Sequence, residues 1–229
     1  MNHGSKSKGF TLLETLIVIA VIAILSAISI FIFNPAETLR KTRDAQRLSD
    51  VKTIHRAIAF FITTKTDISG KDLCDSDSLK PRIYISFPKD KKGIDIPEGQ
   101  CPTPSPPPGS PLSGFGPNWQ QVLTDDLYKI NGTGWLPIDL GSIPGGSPIS
   151  SFPVDPVNSI NIPKDLEGDN CIDDDDLIYR YTCFPQALSY EIDARLESRE
   201  FTVVDDKSVS DGGTNSIRYE IGTALNLLP

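Results

Sequence analysis

Histidine is nearly absent from this 229-residue chain: there are two, His3 and His55. A histidine-based nucleophilic triad in the body of the chain would have to rest on His55 alone. No G-x-S-x-G, glycine-rich phosphate loop or C-x-x-C pair occurs, so there is no nucleophile elbow, no phosphate cradle and no familiar zinc-ligand spacing. Paired acids are plentiful, as in any acidic protein, and nothing raises one pair above another. Positive charge is also short. With 22 Lys and Arg against 30 Asp and Glu the formal net charge is −8, which disfavours phosphate backbones, so nucleic acid is not expected as the main ligand. No internal repeat is visible. These absences read as a chain that is not an enzyme.

Charge is missing most conspicuously between Thr15 and Ala36, 22 positions without a Lys, Arg, Asp or Glu. As a helix that run spans about 33 Å, enough for one bilayer crossing. A cleaved secretory signal would have a shorter apolar region, of about 7–15 residues, followed by a small-residue cleavage site. Here the run is too long and no such site precedes Asn34. A buried core helix would show a polar face, whereas residues 16–33 are apolar all round apart from Ser26 and Ser29. The reading is a membrane span over 15–36.

Glu14 stands at the start of that run, where a carboxylate is expensive and marks a functional site by default. No Lys or Arg follows it within helical reach; Lys6 and Lys8 precede it. A cut after Gly9 would create an α-amine at Phe10, four residues from Glu14. The carboxylate of one chain could then neutralise the amine of a neighbour as apolar helices pack.

The stretch KGFTLLETL, with Lys8, Gly9, Phe10 and Glu14 in order before an apolar run, resembles the prepilin-type signal of type IV pilins and type II secretion pseudopilins. The resemblance implies cleavage after Gly9 by a membrane prepilin peptidase, usually N-methylation of Phe10, and a role for Glu14 in aligning subunits during assembly. It also implies an inner-membrane, single-pass precursor with an extracytoplasmic head. The partners implied are identical or related pilin subunits, the peptidase, an inner-membrane assembly platform and lipid. The finished filament would stand in the periplasm or at the cell surface. Arg40, Lys41, Arg43 and Arg47 lie beyond the span, so a bare positive-inside count favours the opposite orientation; the cleavage motif decides.

Beyond the span, Asn34 can cap, Pro35 suits a first helical turn, and Glu37 falls where a capping acid belongs, so the helix kinks or restarts at Pro35. Leu48, Val51, Ile54, His55, Ile58, Phe61 and Ile62 form an amphipathic stripe, with Arg43, Arg47, Asp50 and Arg56 assigned to the opposite side. The expected organisation is a leader over 1–9, a helical spine over 10–65 that is amphipathic from 37, and a head over 66–229 with a Pro-rich loop at 101–117. In the head, RIYISF (82–87), LIYRYTCF (177–184), residues 187–198 and EFTVVDD (200–206) read as strands, DGGTNSIRYEIGT (211–223) as a turn and a last short strand, and Asn118 as the cap of a short helix. A long helix followed by consecutive strands is α+β, here pilin-like with the spine packed on an antiparallel sheet. The segments FPVDPVNS, IYRYTCF and LSYEIDARLES resemble the heads of major pseudopilin-like subunits, and with the N-terminal motif the resemblance covers about half the chain.

Four cysteines, Cys74, Cys101, Cys171 and Cys183, all follow the span, and an even count in an exported head favours two disulfides with three possible connectivities. The neighbour pairing Cys74–Cys101 and Cys171–Cys183 is the expected one. The acid-rich EGDNCIDDDDL lacks the glycine of an EF-hand turn but could gather hard-cation ligands. Major pseudopilins often carry calcium in a head loop, so Asp155, Asp173, Asp175 and Asp211 are candidate ligands; no cofactor is required. Two functional classes stand: a structural filament subunit, or a membrane-anchored minor or tip adhesin using the same signal. Initiating tip subunits of the family often lack the acid at the position of Glu14, so its presence favours the first.

Overall fold

The computed structural model describes residues 9–74, 82–91, 107–112, 118–160, 172 and 174–228. The chain divides into two compact units, one ending at Arg40 and one beginning at Lys41.

The first unit is helical. α1 spans Leu12–Phe33, and Thr11 caps it, its Oγ1 accepting the Glu14 N–H at 3.2 Å. Along α1 the hydroxyls of Thr15, Ser26 and Ser29 donate to the carbonyls of Leu12, Ile22 and Leu25 at 2.8–2.9 Å, so each returns to its own helix. Leu12–Ser29 is long and apolar enough to cross a membrane, and none of it is buried within the chain. The helix does not bend through Pro35 but stops and restarts. Asn34 takes a left-handed conformation, φ 34°, which asparagine tolerates better than most residues. Pro35 then opens α2 (Pro35–Thr64), where its missing N–H would have had no helical partner.

The second unit is α+β. From Lys41 onward α2 lies on a five-stranded sheet in the order β2-β1-β3-β4-β5, with β1 Arg82–Ile85, β2 Asn118–Gln120, β3 Tyr179–Phe184, β4 Ser189–Arg195 and β5 Arg218–Gly222. The β3–β4 hairpin is the centre. Tyr179, Tyr181, Tyr190, Ile192 and Ala194 alternate onto the helix-facing side and bury against Val51, Ile54, Ala57, Ile58 and Phe61, as the helical stripe anticipates. Residues 127–152 close the same core with Trp135, Leu136, Ile138, Leu140 and Phe152. On the other face Ile83, Ile85, Phe87, Ile178 and Leu228 form a second, smaller cluster.

Three expectations are corrected. The sheet is mixed, because β2 runs parallel to β1. Asn118 begins that strand instead of capping a helix: Trp119 pairs with Ile83 and packs on the second cluster, and only turns follow, the Thr124 N–H and hydroxyl both donating to Asp90. Glu200–Val204 is a five-residue π-helical turn, not a strand. β5 already occupies the edge of β4, and the Ser198 carbonyl collects the N–H groups of Phe201 and Thr202, turning the chain away from the sheet.

Candidate functional site

Gly9 and Phe10 precede the helix in non-helical chain, and Phe10 is 80 % exposed. The bond between them therefore lies just outside the N-cap, where an enzyme can bind extended backbone without unwinding α1. A Cβ on Gly9 would meet nothing within 4 Å, so this fold places no demand for glycine there. Glu14 sits in the first turn of α1, its N–H used by the cap, and no partner for its carboxylate occurs among the described residues. It lies four residues after Phe10, the first two of those steps in extended chain before the helix.

A second concentration of charge lies where α2 meets the head. Arg47, assigned to the polar side of the helix, is fully buried. Its guanidinium donates two hydrogen bonds to Asp155, at 2.6 and 2.9 Å, and one each to Asp44 at 2.8 Å and Glu197 at 2.6 Å. Arg43 adds a bidentate pair to Glu197 at 2.9 and 3.0 Å. Asp44 also accepts the N–H groups of Glu197 and Ser198, and Asp155 those of Val157 and Asn158. Burial alone would lower the Arg47 pKa, but its bonds to Asp155, Glu197 and Asp44 outweigh that and hold it above the ordinary arginine value. Burial likewise pushes Glu197 up, and Arg43 and Arg47 together bring it below the usual glutamate range. Charge-assisted, forked bonds of this kind fix geometry as well as charge. The network pins the segment around Asp155 and the chain leaving β4 to one point on α2.

The signal for this cluster was in the helical period. Positions 44, 47, 51, 54, 58 and 61 recur at three- and four-residue spacing, and all six are buried. Taking charge as a mark of the solvent side hid the first two.

Three of the calcium candidates lie among the described residues, and each is engaged elsewhere. Asp155 is committed to Arg47, Asp175 pairs with Arg195 at 3.0 Å, and Asp211 accepts the backbone N–H groups of Gly213 and Glu220. Asp173 lies outside the described residues. Among the described residues no three His, Cys, Asp or Glu side chains come together as a metal cage.

The disulfide expectation is corrected. Cys74 bonds to Cys183, 109 residues away, with Cα atoms 5.9 Å apart. Neither neighbour pairing, Cys74–Cys101 or Cys171–Cys183, is compatible with that bond; Cys101 and Cys171 lie outside the described residues. The bond follows from packing. The short helix α3 (Gly70–Leu73) rests on the 3-10 turn Pro185–Ala187 that ends β3, and a Cβ on Gly70 would come within 2.4 Å of Pro185 Cβ. Only glycine permits that approach, which carries Cys74 to the last turn of the strand. His55 packs against the sheet, its Nδ1 hydrogen-bonded with the buried Tyr190 hydroxyl at 3.0 Å.

In comparison with known families, residues 4–30 match the prokaryotic N-terminal methylation motif. This is the signal of type IV pilins and pseudopilins, and the match supports a type IV pilin-like precursor with a cleavable N-terminal signal. The motif points to a structural protein and implies processing by prepilin peptidase and assembly with pilin subunits; with the apolar α1 it fits membrane anchoring. No curated protein and no solved structure matches the chain.

Proposed function

We propose that this chain is a structural subunit of a type IV pilus-like or type II secretion pseudopilus filament. It is inserted in the cytoplasmic membrane, cut after Gly9, methylated at Phe10 and polymerised through α1. The observation that carries the reading is α1 itself: an apolar helix with no part of Leu12–Ser29 buried within its own chain and one acid, Glu14, a turn from the cleavage point. A helix of this composition finds its packing partners in lipid first and in other copies afterwards. In such a bundle the amine of one Phe10 can meet the carboxylate of another subunit's Glu14. Both charges are then answered in a medium where an unpaired one would cost several kcal/mol.

The test has two arms. Mass spectrometry of the mature chain should give Phe10 as first residue with one added methyl; a chain still beginning at Met1 in a host with an active prepilin peptidase refutes the processing. Glu14→Gln should insert and be cut normally yet fail to build filaments, because the amide keeps the shape and loses the charge. Normal filaments from that variant alone would remove Glu14 from assembly.

A further inference from the structure

β4 and β5 carry a feature that filament formation does not require. Glu191 stands opposite Gly222 and Glu220 opposite Asp193, so the two glutamates are diagonal neighbours on the face of the sheet turned away from α2. They are 0 % and 1 % exposed. One oxygen of each is served. Glu191 Oε2 accepts the N–H groups of Leu227 at 2.7 Å and Leu228 at 3.0 Å, and Glu220 Oε2 accepts that of Asn215 at 2.8 Å. The other oxygen, Oε1 in both, is buried without a donor among the described residues. Across the diagonal of that register each carboxyl acts on the ionisation of the other. Two ionised carboxylates offer acceptors only, so as a doubly charged pair they would repel and leave both oxygens unmet.

We propose that Glu191 and Glu220 share one proton, and that this proton is the catch holding Leu227 and Leu228 on the outer face of the sheet. Protonated, one glutamic acid donates its O–H to the other, and the repulsion beneath the C-terminal segment disappears. The charged neighbours supply no better answer. Arg180 of β3 and Arg218 of β5 both donate to Asp193 of β4, and Arg218 also donates to the carbonyls of Asp174, Asp176 and Ile178. Asp193 and Asp211 add negative potential at Glu220, and Asp206 adds to it at Asp211. Burial first, and the facing acid second, push Glu191 well above the usual glutamate range; burial also raises Glu220. A divalent cation is the rival bridge. Calcium takes about six to eight oxygens, and the described residues assemble no third acidic, His or Cys ligand here.

The sign of the pH effect follows. The folded pair keeps a proton that the unfolded chain would release near the ordinary glutamate value. The stabilisation is therefore complete below that value and is lost as pH rises through the raised value of the pair. Amide hydrogen exchange of the full chain in detergent, followed at Leu227 and Leu228 from about pH 5 to about pH 9 and corrected for intrinsic base catalysis, reads it directly. Between the ordinary glutamate value and the raised value of the pair, protection should fall by about tenfold per pH unit, and it should level off once the folded pair has lost its proton. Glu220→Gln, whose amide N–H replaces the shared proton, should stay protected throughout. A flat profile in the unaltered chain, or a fall that survives in Glu220→Gln, overturns the proposal. Protection restored at high pH by adding calcium or zinc also overturns it, in favour of a cation. Should Glu220→Gln fail to fold, the infrared spectrum of the unaltered chain decides. A protonated buried carboxyl must be present over the pH range in which protection falls and vanish where it levels off, and its absence is fatal to the proposal. None of these outcomes touches filament assembly, so the two readings fail separately.

Discussion

Glu14 and Arg47 are charged residues placed on helical faces that are largely apolar, and the chain treats them in opposite ways. Around Arg47 it supplies Asp44, Asp155 and Glu197, all within 2.9 Å. Around Glu14 it supplies an N-cap for the backbone and nothing for the carboxylate among the described residues. A charge answered inside the chain is part of the fold; one left open at a lipid-length helix is available to another molecule. The two should therefore fail in different assays.

Removing Arg47 should have the largest effect on the fold. Arg47→Met leaves Asp155 and Asp44 buried without their cation, and the head should lose about 3–5 kcal/mol in denaturant unfolding of the full chain in detergent. A loss below about 1 kcal/mol would mean the network is ornamental to the head. Glu14→Gln, expected to block assembly, should leave the same unfolding curve unchanged within about 0.5 kcal/mol. A shift as large as that of Arg47→Met would collapse the distinction.

Next in size is the disulfide. Replacing both Cys74 and Cys183 by serine should cost about 2–4 kcal/mol, since the bond closes a long loop of the unfolded chain. Peptide mapping without reduction should recover Cys74 linked to Cys183, and a Cys74–Cys101 peptide would contradict the packing of α3 on the turn after β3.

The smallest effect belongs to the rim of the network. Glu197 is held below the ordinary glutamate value of 4.5 by Arg43 and Arg47. Its contribution is present above that value and is lost as pH falls through the lowered one. Arg43 is part-exposed, so Arg43→Ala should cost no more than about 1 kcal/mol at neutral pH and should flatten the acid limb of the stability profile. An acid limb identical to that of the unaltered chain would show that Arg47 alone sets Glu197.

Much of this was legible from periodicity. The cleavage signal, α1, an interruption at Pro35, the apolar stripe of α2 and the strands β1, β3, β4 and β5 all follow from local pattern, although the pattern left open whether the helix kinks or restarts there. What local pattern could not carry was partnership. β2 is three residues long and exists because β1 has an open edge. EFTVVDD alternates well enough for a strand, yet β5 already holds the position it would need. Arg47 looked solvated because its three acids lie 3, 108 and 150 residues away. Cys74 finds Cys183 only because Gly70 lets α3 approach Pro185.

The returned hydroxyls of α1 have a consequence for filament geometry. Thr15, Ser26 and Ser29 each satisfy a carbonyl of their own helix, so along Leu12–Ser29 only Glu14 still asks for a polar contact. A neighbouring helix gains that contact at a single depth, and sliding by one turn, about 5.4 Å, forfeits it. Rotation about the long axis exchanges one set of aliphatic contacts for another of similar worth. In a filament built on this helix the axial rise per subunit is therefore specified by one group, while the twist is left soft.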